Sequence, residues 1–253
     1  MVYPTPYPEV NAVVDDLFTR VKGTLGDNFV GMYLCGSLAF GDFMPGRSDI
    51  DIVVATADVL SDEAFEALKA MHTQFVSSGL PLAKVLEGSY VSLNDLRWYD
   101  PSKALYPRID QGQTLRVEHS SWWVLDRYVL REHSITLAGP PPRTLVPRIP
   151  PSELRQAAIN ILHNHWEWRL NDPVKLSPPD SQVYAVLTMC RILYTFQYGT
   201  VVSKTEAAAW AQRTLPEQMV TLVTQALEWR NGKPFDYLNE IMDLIRYTVQ
   251  HTQ

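Results

Sequence analysis

The chain has 253 residues, 46% of them hydrophobic and 20% charged, and a mean hydropathy of −0.13. That is ample apolar material for a buried core, which excludes disordered, collagen-like and coiled-coil chains. The formal charge of −6, from 28 acidic against 22 basic residues, argues against a general affinity for nucleic-acid phosphates and suits a cationic small molecule better.

The opening residues, MVYPTPYPEV, carry neither the basic nor the apolar region of a signal peptide. No stretch approaches the roughly 18 apolar residues of a membrane span. The expectation is a cytoplasmic protein with no membrane or nucleic-acid partner. Val10, Val13, Val14, Leu17, Phe18 and Val21 then recur at helical spacing, and Gly26 closes that helix. Residues 29–36 and 49–55 are short, β-branched or aromatic, and bounded by Gly, Pro and Ser, which is a strand signature. Ser61 with Phe65, Leu68 and Met71 marks a second helix, residues 82–91 a third strand and residues 122–131 another helix.

Six of the 18 prolines fall between Pro140 and Pro151. Each ring removes a backbone donor and biases the preceding residue away from helix. This stretch reads as a linker, with a domain boundary near residue 150. Beyond it only helical patterns occur: one capped by Ser152 and carrying Leu154, Ala157, Ala158, Ile161 and Leu162, one over residues 184–198 stopped by Gly199, one opened by the S-x-x-E capping box Ser203–Glu206, and two more over residues 217–230 and 235–251. Residues 1–150 therefore read as a mixed strand-and-helix domain and residues 151–253 as a bundle of about five helices, an α+β chain.

The stretch LCGSLAFGDFMPGRSDIDIVV carries the chemistry. On a strand, Asp49 and Asp51 project to one side and Ile50 and Ile52 to the other. Two carboxylates on one face repel unless a cation joins them. Upstream, Gly36 and Ser37 follow a strand and should open a helix or tight turn, where backbone N–H groups and a hydroxyl can hold phosphate oxygens. Metal carboxylates beside a phosphate cradle describe a nucleotide site, and the hard cation suited to it is Mg²⁺.

The order strand, GS, about ten residues, DxD, strand resembles the nucleotidyltransferase superfamily, the polymerase-β-like fold. The segments LREHSITLAGP, AVLTMCRILYTFQYG and KTEAAAWA, with a C-terminal helical domain, resemble the aminoglycoside adenylyltransferases that modify streptomycin and spectinomycin. The resemblance implies transfer of AMP from ATP to a hydroxyl of such an antibiotic, conferring resistance. It implies Mg²⁺ on Asp49 and Asp51, the triphosphate on Gly36 and Ser37, Ser48 orienting nearby, and Glu87 as the base that takes the acceptor proton. Otherwise Glu87 is a surface strand carboxylate.

Arg191 sits among Met189, Cys190, Ile192 and Leu193, where an unpaired charge is expensive. Lys204 lies near a helix N-terminus, where an anion is favoured. The resemblance makes both nucleotide contacts in a helical domain that contributes to the nucleotide and substrate cleft; the alternatives are a buried ion pair and a solvated tip. Asp180, in SPPDSQ, is the candidate substrate contact beside Glu87. Streptomycin-accepting relatives carry an acid where this chain has Ser181, which counts against streptomycin. The expected assembly is a monomer. Cys35, Cys190 and most of the tryptophans are assigned to packing. Two other readings stay open: the same chemistry on a protein or another small-molecule acceptor, and nucleotide binding without turnover.

Overall fold

In the computed structural model, residues 4–98, 100, 106–111, 113–117 and 121–252 are described. The chain forms two compact units, Met1–Arg148 and Ile149–Gln253.

In the first unit the elements run α1 (Pro8–Leu25), β1 (Phe29–Leu34), α2 (Gly36–Phe40), β2 (Ile50–Thr56), α3 (Asp62–Val76), β3 (Leu86–Ser92), α4 (Leu93–Arg97), β4 (Tyr106–Asp110), β5 (Gln113–Val117), α5 (Ser121–Glu132), β6 (Ile135–Ala138) and α6 (Pro142–Leu145). Among the described residues the strands make one sheet in the order β5-β4-β3-β2-β1-β6. β2 and β3 are parallel and every other pair is antiparallel. A parallel pair needs a crossover, and α3 supplies it. Ser61 starts that helix by accepting the Ala64 N–H at 3.2 Å.

The valine and leucine stripe of α1 and Leu68, Met71 and Phe75 of α3 pack on one face of the sheet. They meet Met32 and Leu34 of β1, Ile50, Ile52 and Val54 of β2, and Leu86 and Tyr90 of β3. The strands send Met32, Leu34, Ile50, Ile52, Val54, Leu86 and Tyr90 into this core, while on the other face Tyr33, Val53, Ala55 and Val91 are also buried and Asp51 and Glu87 stay part-exposed.

The third strand begins at Leu86 rather than residue 82, because residues Ala83–Val85 close a 3₁₀ turn. Three strands were missed by sequence patterning. β4 carries Pro107, Arg108 and Asp110 within five residues, and β6 is only four residues long, so neither presents a clear alternating run.

The second unit contains α7 (Pro151–Ile161), α8 (Pro179–Tyr198), α9 (Lys204–Thr214), α10 (Glu217–Glu228) and α11 (Leu238–His251), with a π-helical and two 3₁₀ segments between α7 and α8 and no strand among the described residues. Ser152 does not cap α7. Pro150 holds the cap position and Pro151 the first turn, where a fixed φ and a missing donor cost nothing. α8 starts five residues before the expected Tyr184, again at a proline, so Asp180 lies in its first turn rather than in a loop. Gly199 ends α8 in the left-handed region at φ 63°, and the Ser203 hydroxyl accepts the Glu206 N–H at 3.0 Å, both as expected. Cys35 and Cys190 are buried free thiols. Trp123 and Trp166 are buried, whereas Trp98 and Trp168 are exposed. No helix among the described residues is long and apolar enough to cross a membrane.

A buried polar pair sits in the first core. His72 of α3 and Tyr90 of β3 are hydrogen-bonded, Nε2 to hydroxyl, at 2.7 Å. Burial pushes the imidazole pKa down to about 4. The unfolded chain titrates this histidine near pH 6.5, so it binds a proton that the folded state refuses between the two values. Stability is therefore intact above pH 6.5 and falls as pH drops toward 4, by about 3 kcal/mol in all. Urea denaturation across this window checks the loss, and His72→Phe should flatten it.

Candidate active site

The site begins with strand register. Asp51 of β2 lies directly beside Glu87 of β3, Val53 beside Ser89, and Ile52 beside Gly88. Ser89 in turn faces Arg108 of β4. Side chains of register partners share a face, so Asp51, Glu87 and Arg108 stand together on the face opposite the α1–α3 core. The Arg108 Nη2 is 3.6 Å from the Glu87 Oε2, with both side chains part-exposed.

Gly36 brings the GS turn onto this face. The Cys35 N–H donates to the Asp51 carbonyl at 2.9 Å, extending the β1–β2 ladder by one bond. The chain then turns at Gly36 with φ 54° into α2. A Cβ on Gly36 would come within 1.9 Å of the Asp51 Oδ2, so the carboxylate occupies the space a side chain would take. Ser37 follows, and its buried hydroxyl oxygen has no hydrogen-bond partner. A buried hydroxyl left unsatisfied costs about 1–3 kcal/mol, and here it lies one residue from a carboxylate-lined turn.

The remaining predicted residues have distinct settings. Ser48 accepts the Met44 N–H at 3.0 Å and so closes the turn before β2. Asp49 is exposed and immediately precedes the strand. Among the described residues no three His, Cys, Asp or Glu side chains are gathered closely enough to hold a metal by themselves. That is compatible with Mg²⁺, which takes one or two carboxylates and completes its shell from phosphate and water oxygens.

Sequence reading missed two charged members of this face. Burial works against the Arg108 cation, but Asp126, Tyr106, Glu87 and Asp110 together outweigh it and raise its pKa. Asp126 of α5 also acts on Cys35, whose thiol is pushed well above the usual range by burial first and then by Asp51 and Asp126. Neither residue belongs to a motif; only sheet register and the packing of α5 assemble them. His133, left without a role by the sequence, stacks on Phe40 at the end of α2 with ring centroids 4.7 Å apart and braces that short helix.

Asp180, Arg191 and Lys204 belong to the second unit. Arg191 is half-buried in α8 between Cys190 and Ile192, both buried. The Lys204 Nζ lies 4.2 Å from the Tyr184 ring centroid, and Tyr184 stacks on Trp166 at 5.8 Å. Arg169 stands over Trp166 and Trp168 at 4.7 and 4.8 Å. Cation–π contacts of this kind hold long cationic side chains in place. Asp180 lines a groove of about 490 Å³ with Pro179, Trp229, Asn231, Lys233 and Pro234. His163 pairs with Glu167 at 2.6 Å, across a π-helical turn.

The fold is shared with a solved structure. A solved spectinomycin adenyltransferase, AAD(9) from Enterococcus faecialis with ATP and spectinomycin, superposes with a TM-score of 0.74 at 19% identity, covering 95% of this chain and 98% of that one. Residues 144–253 match the family model for the aminoglycoside adenylyltransferase C-terminal domain. An aminoglycoside (3'') (9) adenylyltransferase from Escherichia coli is 25% identical over 97% of this chain and 94% of its own length. A spectinomycin 9-adenylyltransferase from Campylobacter jejuni is 26% identical over 94% and 92%. Over residues 144–253 the chain thus matches an aminoglycoside adenylyltransferase C-terminal domain, and over nearly its whole length it is similar to aminoglycoside and spectinomycin adenylyltransferases.

The contact between Gly36 and Asp51 is testable without substrate. Gly36→Ala adds a clash and a strained positive φ, and should lower the stability of the first unit by about 2–4 kcal/mol in urea denaturation.

Proposed function

We propose that this protein is an Mg²⁺- and ATP-dependent O-adenylyltransferase that transfers AMP to a hydroxyl of an aminocyclitol or aminoglycoside antibiotic. The observation that carries the reading is the pairing of Asp51 and Glu87 across parallel strands beside Gly36 and the orphaned Ser37 hydroxyl. The relatives named above, aminoglycoside and spectinomycin adenylyltransferases, support it.

In this reading the acceptor oxygen attacks the α-phosphorus, the bond from that phosphorus to the bridging oxygen breaks, and pyrophosphate leaves. Glu87 takes the proton from the acceptor hydroxyl, whose own pKa is far too high for ionisation at neutral pH. The Gly36–Ser37 turn holds phosphate oxygens, with the Ser37 hydroxyl donating to one of them and so finding the partner it lacks. Asp49 and Asp51 hold the metal, and Ser48 keeps the preceding turn closed. Bound Mg²⁺ neutralises charge on the triphosphate and the leaving pyrophosphate. Arg191 and Lys204 add fixed positive charge for the triphosphate, Lys204 oriented by the Tyr184 ring. Asp180 offers a carboxylate to a cationic acceptor, and the net charge of −5 over residues 1–150 against −1 over residues 151–253 draws such an acceptor toward the catalytic half.

Residues 1–150 form the catalytic domain in this reading and residues 151–253 a helical domain serving nucleotide and acceptor. The protein acts as a cytoplasmic monomer. The acidic first half suits a cationic acceptor of the spectinomycin or streptomycin class, and Ser181, where the resemblance implies an acid for streptomycin, counts against streptomycin unless Asp180 takes that place.

Pyrophosphate release from Mg²⁺-ATP with spectinomycin, streptomycin and a drug-free blank tests the reaction. Release should depend on drug and be faster with spectinomycin; no release with any drug would overturn the reading. Asp51→Asn and Glu87→Gln should each lower kcat by at least about 100-fold, and Glu87→Gln should leave Mg²⁺-ATP affinity within about twofold by calorimetry. Asp180→Ala should raise KM for the drug severalfold and leave KM for ATP unchanged.

A further inference from the structure

Asp51 and Glu87 are nearest neighbours on parallel strands, about 4.8 Å apart along the hydrogen-bonding direction. Like charges so placed repel, and the repulsion acts to swing the Glu87 carboxylate away from the metal side of the sheet. One basic residue occurs in β1 to β4, and it is Arg108. It stands opposite Ser89, one pleat along from Glu87, and reaches back diagonally so that its Nη2 lies 3.6 Å from the Glu87 Oε2. Glu87 is therefore flanked by a carboxylate on β2 and a guanidinium on β4. The charges of Asp126 on α5 and Asp110 on its own strand act on Arg108 as well and, with Glu87, favour its cation.

We propose that Arg108 is the positioning residue of the catalytic base: it draws the Glu87 carboxylate toward β4, off Asp51, and fixes the direction in which Glu87 meets the acceptor hydroxyl. The inference rests on the adenylyltransferase reading and on Glu87 as its base. Two alternatives make different demands. If Arg108 held a phosphate of ATP, its loss would weaken nucleotide binding. A purely structural ion pair would affect folding and not rate. With its side chain 39% exposed, the pair contributes little to stability. Misplacing a reacting group by an ångström, in contrast, costs up to about 100-fold in rate. Rate and stability therefore separate cleanly.

Steady-state kinetics and calorimetric Mg²⁺-ATP binding on Arg108→Met, Arg108→Lys, Glu87→Gln and the Arg108→Met/Glu87→Gln double variant test this. Arg108→Met should lower kcat about 10- to 100-fold, with ATP affinity within about twofold and an unchanged melting temperature. Arg108→Lys, which keeps the charge and loses the planar fork, should recover part of the rate. In the Glu87→Gln background the Arg108→Met change should cost almost nothing more, because the group it positions is already disabled. Unchanged kcat for Arg108→Met, the same fold-loss in both backgrounds, or weakened ATP binding with kcat intact would each overturn the assignment of Arg108 while leaving Glu87 as base. Full activity of Glu87→Gln alone would overturn the base and Arg108 together, so the two failures are distinguishable.

Discussion

The contact between the Asp51 carboxylate and the Cα of Gly36 is the constraint on which the first unit's polar face depends. Gly36 turns the chain out of β1 with a positive φ and gives Asp51 the space where any other residue would carry a Cβ. The acid is thereby pressed against the GS turn, and the buried Ser37 hydroxyl lies in the next residue with no partner of its own. An orphaned buried hydroxyl is costly, and in the proposed reading a phosphate oxygen at the GS turn would satisfy it. The strain is a local cost that the surrounding β1–β2 ladder and the α1–α3 core are large enough to carry.

The two faces of the sheet divide the work. Leu34, Ile52, Val54, Leu86 and Tyr90 bury into one continuous core, and burial of each such side chain stabilises by about 1.5–3 kcal/mol. The residues between them point to the opposite face, where Tyr33, Val53, Ala55 and Val91 are also buried. On β2, β3 and β4 they include Asp51, Glu87, Arg108 and Asp110, a row of alternating and adjacent charges. A slip of one residue in any of these strands would bury the acids and expose the isoleucines, so the apolar core enforces the register that aligns the polar groups. Core packing and site geometry are in this sense one decision.

The second unit uses a different device. Its cations are held over aromatic faces: Lys204 over Tyr184, and Arg169 over Trp166 and Trp168. The rings keep these long side chains from ranging freely. Burial also lowers the pKa of Arg169, in keeping with a guanidinium desolvated by ring faces.

Local patterning determined much about this protein. The valine stripe of α1, the Ser61 and Ser203 caps, the Gly199 stop, the GS turn and the DxD strand all follow from interactions within a few residues of each other, and for that reason the sequence alone reveals them. Ser152 as a cap and Asp180 as a loop residue were misread because a proline at the first helical position competes with a side-chain cap and can start a helix earlier. β4 and β6 went unread because a short strand containing proline or charge is stabilised by its neighbours rather than by its own alternation. Arg108 and Asp126 could not be read at all. Arg108 is 21 residues from Glu87 and Asp126 39, and neither sits at a spacing that any periodicity connects. Only the pairing of β3 with β4 and the packing of α5 bring them to the acidic face. The candidate residues of the GS turn and the DxD strand are local and legible, whereas Arg108 and Asp126 are non-local, placed by strand register and helix packing in the tertiary fold.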